Sequence, residues 1–588
     1  MKKPFFKNRI ILVIALCAVA VASLAAGLSN CFGLRECGVP ESLGNEELLL
    51  DSLVVEEDAV QTVMNAELWA DSVMATLSPR QRIAQLFVPR WDLPVTQAAI
   101  EQQIAREGFG GFLLGKAKLD AYVDVINRAQ AKAKVPLLVT LDGEWGLNMR
   151  VPDAPRFPKN IALGAIQNES LLEEYGREVA RECLLAGIQV DFAPVLDVNS
   201  NPSNPVIGYR SFGENPERVA QLGAAFCKGM ESGGVMSVGK HFPGHGDTSL
   251  DSHKALPTVD HSVAKLDSVD LLPFRVAMDA GMSGIMVGHL KVPALDKSGT
   301  PASLSKKITT DLLQKEMGFE GLIFTDALAM KGAATVGENN CVSAFKAGAD
   351  ILLNSAAPLK DLQAMVAAVN SGAISQKEVD RRCKKLLMHK YRLGLTKPQK
   401  VDKTGLYSKI NTPETKALLG KLAKASITVT ANNGLLPLDS VESKKVAVVS
   451  LGSSADNEFS RMCAKYAPVT KVGVNTAADL TGALSATKGA DVVIVGVFKA
   501  DSWVKDAFAK LKASKNLVPV FFVNPFRLKS FVGLSELPIL MMAYDDTPEL
   551  LGAAAQAMFG GIEVTGRFPV NISGVASIGD GVDLKKKD

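Results

Sequence analysis

Short apolar runs alternate with amphipathic stretches along most of this chain. Continuous apolar runs separated by helical patterns are typical of a parallel sheet that is buried on both faces. Eight such runs, followed by helical patterns, predict an α/β fold with a (β/α)8 barrel over residues 65–395. The eight runs are LFVPR (86–90), GGFLLG (110–115), PLLVTLD (136–142), VDFAPVLD (190–197), MSVGKH (236–241), GIMVGH (284–289), GLIFTD (321–326) and DILLN (350–354).

A second alternating segment follows the predicted barrel. Residues 396–420 are polar and contain two prolines, which is typical of a linker that leads into a helix. Residues 421–588 contain four further buried-strand candidates, KVAVVSLG, DVVIVGV, VPVFFVN and LPILMMAY. We therefore predict a smaller α/β sandwich domain over residues 421–588. Its first loop, SLGSSADN, lacks the GxGxxG spacing of a dinucleotide site, so we expect no such cofactor.

The N-terminus has the pattern of an export signal. The segment MKKPFFKNR is basic, and residues 10–27 are almost wholly apolar. This pattern predicts a signal peptide or membrane anchor over residues 1–30 and a leader over residues 31–64. The protein is then expected in the periplasm or cell envelope, with membrane attachment through the N-terminus as an alternative to cleavage. The segment LSNC (28–31) loosely resembles a lipoprotein cleavage box.

Composition narrows the classes of partner. The chain carries 65 basic and 62 acidic residues, a net charge of +3, which gives no reason to expect nucleic acid or an anionic surface as partner. Its eight cysteines are dispersed without the CxxC spacing of zinc or thioredoxin-like sites. The residues Cys183, Cys227, Cys341, Cys383 and Cys463 are expected to be small core residues.

The polar residues that end the predicted strands are the first candidates for a site. In a (β/α)8 barrel the C-terminal ends of all strands surround one mouth, where active sites lie. Alternatively, these residues are polar only because the strand ends contact solvent. For Asp197 and Asn354 the two explanations stay balanced. The candidates at strand ends are Asp142, Asp197, Lys240, His241, His289, Asp326 and Asn354.

The segment KHFPGHGDTSLDSH (240–253) is the most informative stretch. It holds three of the six histidines and is too rich in Gly and Pro to be a helix or a long strand. Asp251 lies two residues before His253, and such a pair can shuttle a proton near neutral pH. His241 and His245 have the i, i+4 spacing of a metal site, but the intervening Pro and Gly oppose a helix. No metal site and no cofactor are predicted.

Four charged residues, two of them at strand ends, each allow two interpretations. Asp326 is placed to act as a nucleophile, or to cap a following helix. Asp142 and Arg150 can both point into the mouth, or can form a local ion pair. Arg210 lies in a turn-rich loop after the strand ending at Asp197, and taken alone it is a solvated charge.

Together these motifs resemble glycoside hydrolase family 3, and more closely its bacterial two-domain β-N-acetylglucosaminidases. The resemblance runs from about residue 69 to the C-terminus and includes NNGLLPL (432–438) and GRFPV (566–570). Its most specific motifs are KHFPGHGDTSLDSH, FAPVLDVNSNPSNPVIGYRSFG (192–213) and TDALAM (325–330). The segment DGEWGLNMR (142–150) departs from the usual DQEGGRVQR at Trp145 and Leu147, among other positions.

The resemblance implies a role for each matching residue. Asp326 matches the catalytic nucleophile, His253 the general acid/base, and Asp251 its partner. Residues that match sugar-contacting positions are Asp142, Arg150, Arg210, Lys240 and His241.

The resemblance also implies the reaction. The expected activity is that of a retaining exo-glycosidase that releases N-acetylglucosamine from β-linked glycans or peptidoglycan fragments through a covalent glycosyl-aspartate. No metal or organic cofactor is required. Alternatives are a family 3 β-glucosidase or β-xylosidase, a non-catalytic glycan-binding protein on the same scaffold, and a metallohydrolase. A neutral histidine base also raises the hypothesis that phosphate replaces water as acceptor.

Overall fold

The computed structural model describes residues 61–252, 255–333 and 337–587. The predicted signal or anchor segment (1–30) and nearly all of the leader (31–64) lie outside the described residues, and so does His253. Residues 64–588 form one compact unit. In the described part of the chain, no helix has the length and apolarity that crossing a bilayer requires. The domain boundaries 65–395, 396–420 and 421–588 stay predictions.

The first sheet is parallel and curls into a ring. Strands β2 to β8 pair in chain order, and β9 pairs with β1. Phe324 in β8 bridges to Ile351 beside β9, and only Pro89 separates β1 from β2, so these contacts close the ring. Each of the eight predicted runs contains a strand of this ring, and the barrel fold is confirmed. The strands are β1 (Phe87–Val88), β2 (Arg90–Trp91), β3 (Gly111–Leu114), β4 (Leu138–Leu141), β5 (Val190–Asp191), β6 (Met236–Phe242), β7 (Gly284–Val287), β8 (Leu322–Thr325) and β9 (Leu352–Leu353).

Helices cover the outside of the ring. The helix Pro216–Ser232 begins with proline in its first turn, and the Asn215 side chain accepts a hydrogen bond from the Arg218 N–H at 2.7 Å. Its buried residues include Val219, Leu222 and Phe226, at the spacing of an amphipathic helix. The helical segments of the described barrel include Pro79–Ala84, Gln97–Ile100, Glu101–Arg106, Leu119–Gln130, Asn160–Leu163, Ser170–Leu185, Pro216–Ser232, Val263–Lys265, Leu266–Asp270, Leu272–Asp279, Lys307–Glu316, Asn340–Ala347, Pro358–Asn370 and Gln376–Arg392.

The second sheet has six strands in the order β10-β15-β14-β13-β11-β12, with β10 antiparallel to β15 and the other pairs parallel. The four predicted strands are present, and β10 and β12 at the two edges were not predicted. The strands are β10 (Thr428–Ala431), β11 (Val446–Leu451), β12 (Val469–Val474), β13 (Val492–Val497), β14 (Leu517–Phe521) and β15 (Leu540–Met542), with helices Leu406–Ile410, Pro413–Ser426, Glu458–Cys463, Leu480–Thr487, Ser502–Leu511 and Pro548–Phe559.

The second sheet and the barrel share part of a core. Ile161, Ala162 and Ala165 of the barrel belong to the same buried cluster as residues of β11 and β13. The Arg567 N–H also donates to the Ala165 carbonyl oxygen at 3.0 Å. The second sheet therefore supports the barrel segment whose Asn160 side chain donates to the Arg210 carbonyl oxygen. The five cysteines expected in the core are buried, and none of them is in a disulfide.

Candidate functional site

Lys240 and His241 lie at the end of strand β6, where the predicted run MSVGKH (236–241) places them. Strand β6 is seven residues long and buried throughout, and it includes the first three residues of KHFPGHGDTSLDSH. The rest of the motif, for which the sequence predicts no helix and no long strand, contains the Gly and Pro residues. Those residues begin only at Pro243, after the strand has ended. The peptide bonds Lys240–His241 and Phe242–Pro243 are cis.

Five charged side chains form one network at the ends of β4 and β6. The Lys240 ammonium lies 3.1 Å from Asp142 Oδ1 and 2.8 Å from Glu144 Oε1. The Arg210 guanidinium donates to both oxygens of Glu144, at 2.9 and 2.7 Å. Arg150 donates to Asp142 Oδ2 at 3.0 Å. The predicted local ion pair Asp142–Arg150 is therefore one side of a larger cluster, and Arg210 is not a solvated charge.

The charges of this network hold each other ionised. Burial by itself would raise the pKa of Asp142, but Lys240 and Arg150 outweigh it and lower the pKa to about 2. Burial opposes ionisation of Glu144 in the same way, and Arg210 and Lys240 nevertheless hold its pKa far below the usual value. The two carboxylates in turn keep the pKa of buried Lys240 above its ordinary value. The cluster is a fixed array of donors and acceptors at neutral pH.

Asp197 organises the histidines of the motif. Its Oδ2 lies 2.7 Å from His241 Nδ1, and its Oδ1 accepts the backbone N–H groups of His241 and His245 at 3.1 and 2.7 Å. Asp197 is fully buried. His241 Nε2 lies 3.4 Å from the Arg210 guanidinium. Asp197, for which the sequence left two explanations balanced, therefore orients a ring beside the charge network.

His245 has the contacts of a structural residue. Its Nδ1 lies 2.7 Å from the Thr248 hydroxyl, and its Nε2 lies 3.3 Å from the Ser252 hydroxyl. Burial, and then the nearby His241, lower the pKa of His245 to about 4, so the ring is neutral at pH 7. The described residues contain no group of three His, Cys, Asp or Glu side chains arranged to hold a metal ion.

Asp326 follows β8 directly and faces the same end of the barrel. Its backbone N–H donates to the Val287 carbonyl oxygen at 2.9 Å, and its Oδ1 accepts the Ala327 N–H at 2.7 Å. Burial opposes its ionisation, but His289, His241, the Ala327 N–H and Lys240 together lower its pKa. No helix begins at Asp326 in the described chain, which removes the helix-cap interpretation. The result is an ionised carboxylate within electrostatic reach of Lys240.

Hydrogen bonds from neighbouring segments hold the loop that leads to the predicted acid/base. His261 lies 2.6 Å from both Asp247 Oδ2 and Asp270 Oδ2, which ties the loop to the helical segment at residues 266–270. The Ser252 carbonyl oxygen accepts the Gly332 N–H at 3.1 Å, close after the segment that carries Asp326. Asp251 is partly exposed, whereas His253 lies outside the described residues. The roles of Asp251 and His253 stay predictions.

Two site residues were missed from sequence. Glu144, in DGEWGLNMR, is the most deeply buried carboxylate of the charge network, with 1% of its side chain exposed. Asp191, in β5, is fully buried and accepts a hydrogen bond at 2.7 Å from the N–H of Gly143, the residue between Asp142 and Glu144 in the sequence. The one sequence signal for Glu144 was its position two residues after a strand-end aspartate. Asp191 offered no signal, because it lies within an apolar run.

Comparison with known proteins identifies the family of the chain. Residues 78–388 match the family model "Glycosyl hydrolase family 3 N terminal domain". Beta-hexosaminidase A of Pseudoalteromonas piscicida is 35% identical over 375 residues, which are 58% of this chain and 62% of that protein. A beta-hexosaminidase of Neisseria meningitidis serogroup C is 39% identical over 266 residues, 43% of this chain and 73% of the relative.

A solved structure extends the likeness over both sheets. A glycoside hydrolase family 3 beta-N-acetylglucosaminidase from Paenibacillus superposes with a TM-score of 0.73 at 30% identity, covering 85% of this chain and 100% of that one. The family model alone spans more than half of the 588 residues. The site geometry, the family match and the superposition lead to one conclusion: the chain belongs to glycoside hydrolase family 3.

Proposed function

We propose that this enzyme is a retaining exo-β-N-acetylhexosaminidase that releases N-acetylglucosamine from the non-reducing end of β-linked glycans. The observation that carries the proposal is the ionised Asp326 carboxylate beside the charge network of Asp142, Glu144, Arg150, Arg210 and Lys240. The relatives named beta-hexosaminidase and the Paenibacillus structure support the choice of sugar.

The proposed chemistry is a double displacement. An Asp326 oxygen attacks the anomeric carbon while His253, oriented by Asp251, donates its proton to the departing glycosidic oxygen. A covalent glycosyl-aspartate forms and the aglycone leaves as an alcohol. His253 then takes a proton from water, whose oxygen attacks the anomeric carbon and frees the Asp326 carboxylate. Histidine fills the place of the second carboxyl group that most retaining glycosidases use.

The charge network would hold the sugar. Asp142, Arg150 and Arg210 each keep part of their side chain exposed, at 22%, 25% and 18%. Carboxylate and guanidinium groups that are already oriented by one another can accept from and donate to sugar hydroxyls without reorganising. We expect these contacts to tighten in the oxocarbenium-like transition state.

Replacement of the nucleophile tests the mechanism. We expect Asp326→Asn to lower kcat for p-nitrophenyl N-acetyl-β-glucosaminide by at least about a thousandfold with unchanged folding, because the amide cannot attack. Asp279→Asn, the same change at an exposed helix end, should keep full activity. Equal activity of Asp326→Asn and the parent would favour the non-catalytic glycan-binding alternative.

The sugar and the acceptor are tested with the same enzyme. Faster hydrolysis of the p-nitrophenyl glucoside or xyloside than of the N-acetylglucosaminide would favour the β-glucosidase or β-xylosidase alternative. Loss of activity with a chelator would favour a metallohydrolase. Formation of N-acetylglucosamine 1-phosphate in phosphate buffer would make phosphate the acceptor.

We propose peptidoglycan fragments as the natural substrate class, because an N-terminal export signal would place the enzyme at the cell wall. Digestion of muropeptides with mass analysis of the products tests the substrate. Cell fractionation with N-terminal sequencing of the mature protein tests the export and the attachment. Products without free N-acetylglucosamine would exclude these substrates.

A further inference from the structure

His261 lies between two carboxylates, outside the charge network of Lys240. Its Nδ1 lies 2.6 Å from Asp270 Oδ2, and its Nε2 lies 2.6 Å from Asp247 Oδ2. Only 3% of the His261 side chain is exposed. In the described part of the chain, its ring is the only group able to carry positive charge within 4.0 Å of either carboxylate. We call these three side chains the clasp, and the proposed chemistry makes no use of them.

The clasp joins the two ends of one loop. Asp247 lies in the KHFPGHGDTSLDSH motif, and His261 lies in the segment that returns from it, so their contact closes residues 247–261 into a loop. Asp251 and His253, the proposed acid/base pair, belong to this stretch of sequence. We therefore call residues 247–261 the acid/base loop. A contact that joins the ends of a loop restricts the conformations open to the residues between them.

The partners that hold Asp247 are themselves fixed. Asp270 ends a short helical segment of the barrel and is fully buried. A side chain at Gly244 would begin 2.8 Å from Asp270 Cβ, so the absence of a side chain lets this segment pack directly on the motif. The returning segment is held as well, because the Val259 N–H donates to the Lys291 carbonyl oxygen at 2.9 Å. Asp247 is thus bound to a rigid part of the barrel.

Each contact of the clasp needs a proton of its own. A neutral imidazole has one N–H group and an ionised carboxylate has none, so two hydrogen bonds at 2.6 Å need two protons. With both protons on the ring, His261 is an imidazolium that donates to two carboxylates, and such charge-assisted bonds are strong. With one proton fewer, a nitrogen lone pair faces a carboxylate and one contact becomes repulsive.

Burial determines which contact loses its proton. Asp270 has none of its side chain exposed, whereas Asp247 has 33% exposed. Burial raises the pKa of Asp270 to about 6, although His261 acts to lower it, so the proton at this carboxylate is the one retained. Lys265 and Asp197 also act on Asp270, with opposite signs. Asp247 can turn towards water, and its contact with the ring therefore opens first.

We propose that His261 is a positioning residue for the acid/base loop, which it holds at Asp247 through its second ring proton and releases when that proton is lost. The inference rests on the proposed function in one respect, the acid/base role of this loop. The start of the motif has further contacts that do not titrate, since the Asn204 side chain donates to the carbonyl oxygens of His245 and Gly246 at 2.8 and 3.0 Å.

Two substitutions at Asp247 imitate the two states of the clasp. Asparagine presents an acceptor oxygen to the imidazolium and, with its amide turned, a donor N–H to the neutral ring. Asp247→Asn should therefore keep the contact at any pH, and Asp247→Ala should lack it at any pH. The parent should resemble Asp247→Asn at about pH 6 and Asp247→Ala at about pH 9, because an imidazole held by carboxylates loses its second proton above neutral pH.

Hydrogen exchange of the whole protein measures the contact without catalysis. The Ala255 and Gly332 N–H groups donate to the carbonyl oxygens of Asp251 and Ser252, both at 3.1 Å, so their protection factors report on the loop. Between about pH 6 and pH 9 we expect these factors to fall at least about tenfold in the parent, the equivalent of one hydrogen bond to a charged group. They should stay constant in Asp247→Asn, and the amides of strand β7 should stay constant in every protein.

Kinetics test whether the clasp positions the acid/base pair. At pH 7, kcat for p-nitrophenyl N-acetyl-β-glucosaminide should be at least about tenfold lower in Asp247→Ala than in Asp247→Asn, because a displaced acid/base pair reacts slowly. KM should change less than kcat, since the charge network is untouched. Asp267→Ala is the matched control. Asp267 pairs with Arg275 at the surface of the same helical segment, and its loss should leave the protection factors and kcat unchanged.

Failure of the clasp and failure of the proposed function give different results. Protection that does not fall in the parent by about pH 9, or that falls equally in Asp247→Asn, overturns the clasp. Equal kcat in Asp247→Ala and Asp247→Asn overturns the positioning role. Absence of hydrolysis of every N-acetylglucosaminide by the parent overturns the proposed function, and hydrogen exchange then decides the clasp. If Asp247→Ala does not fold, the parent and Asp247→Asn still decide it, because their protection and kcat must diverge above neutral pH.

Discussion

Replacing Glu144 by glutamine removes the charge at the centre of the network while keeping the shape of the side chain. Glu144 accepts two hydrogen bonds from Arg210 and lies 2.8 Å from the Lys240 ammonium. The Lys240 side chain is 2% exposed. Removing one partner of a buried ion pair typically costs about 3–5 kcal/mol, because the remaining charge stays buried without compensation. The glutamine keeps one acceptor oxygen, and Asp142 still lies 3.1 Å from Lys240. We therefore expect a loss of about 3 kcal/mol in the free energy of unfolding.

Urea unfolding at pH 7 measures this loss, and kinetics measure its effect on the site. Since Arg210 and Lys240 lose a shared anchor, kcat/KM for the aryl N-acetylglucosaminide should fall at least about tenfold, the equivalent of about 1.4 kcal/mol. Glu378→Gln is the matched control. Glu378 accepts two hydrogen bonds from Arg381 and one from the buried Arg382, but its own side chain is 35% exposed, so its loss should cost less than the loss of Glu144.

The lowered pKa of Glu144 determines how the stability lost in Glu144→Gln varies with pH. The pKa of Glu144 is lower in the folded protein than the unfolded value of 4.5. Its stabilisation is therefore complete above that pH and is lost as the pH falls and the carboxylate is protonated. The difference between the parent and Glu144→Gln should be largest near neutral pH and should shrink in acid. A difference below 1 kcal/mol at pH 7, or one equal to that of Glu378→Gln, would refute the reasoning.

Two other buried groups should change the stability of the protein with pH in opposite directions. Burial raises the pKa of Asp191 from 3.8 to about 7, so the parent loses stability as the pH rises between these values. Between pH 4 and pH 8, the free energy of unfolding of Asp191→Asn, measured in urea, should therefore rise relative to that of the parent by up to about 4 kcal/mol. A constant difference would contradict this. Burial lowers the pKa of Lys390 to about 7 from 10.5, so the parent should become more stable as the pH rises from 7 to 10. Lys390→Met should lose up to about 4 kcal/mol of that rise, and an equal rise in both proteins would show that Lys390 is charged in the fold.

Strand positions were predictable where both faces of a strand are buried. All six residues of β11 and all six of β13 are buried, and such runs stand out as continuous apolar stretches. The edge strand β12 was missed because five of its six residues are partly or fully exposed and its sequence, VTKVGV, is mixed. Strand β10 has two buried and two partly exposed residues, and its short TVTA segment contains no continuous apolar run.

The motifs of the sequence determined the family and the candidates at the strand ends, because chemistry at a barrel mouth requires particular side chains at particular strand ends. Only the tertiary structure decided which charges meet. Glu144 follows Asp142 by two residues, yet its partners Lys240 and Arg210 come from segments 96 and 66 positions away. Asp191 contacts Gly143 only because β4 and β5 pair at Leu141 and Asp191. Local pattern specifies which face of a strand is buried, whereas pairing between distant strands determines which buried polar groups find a partner.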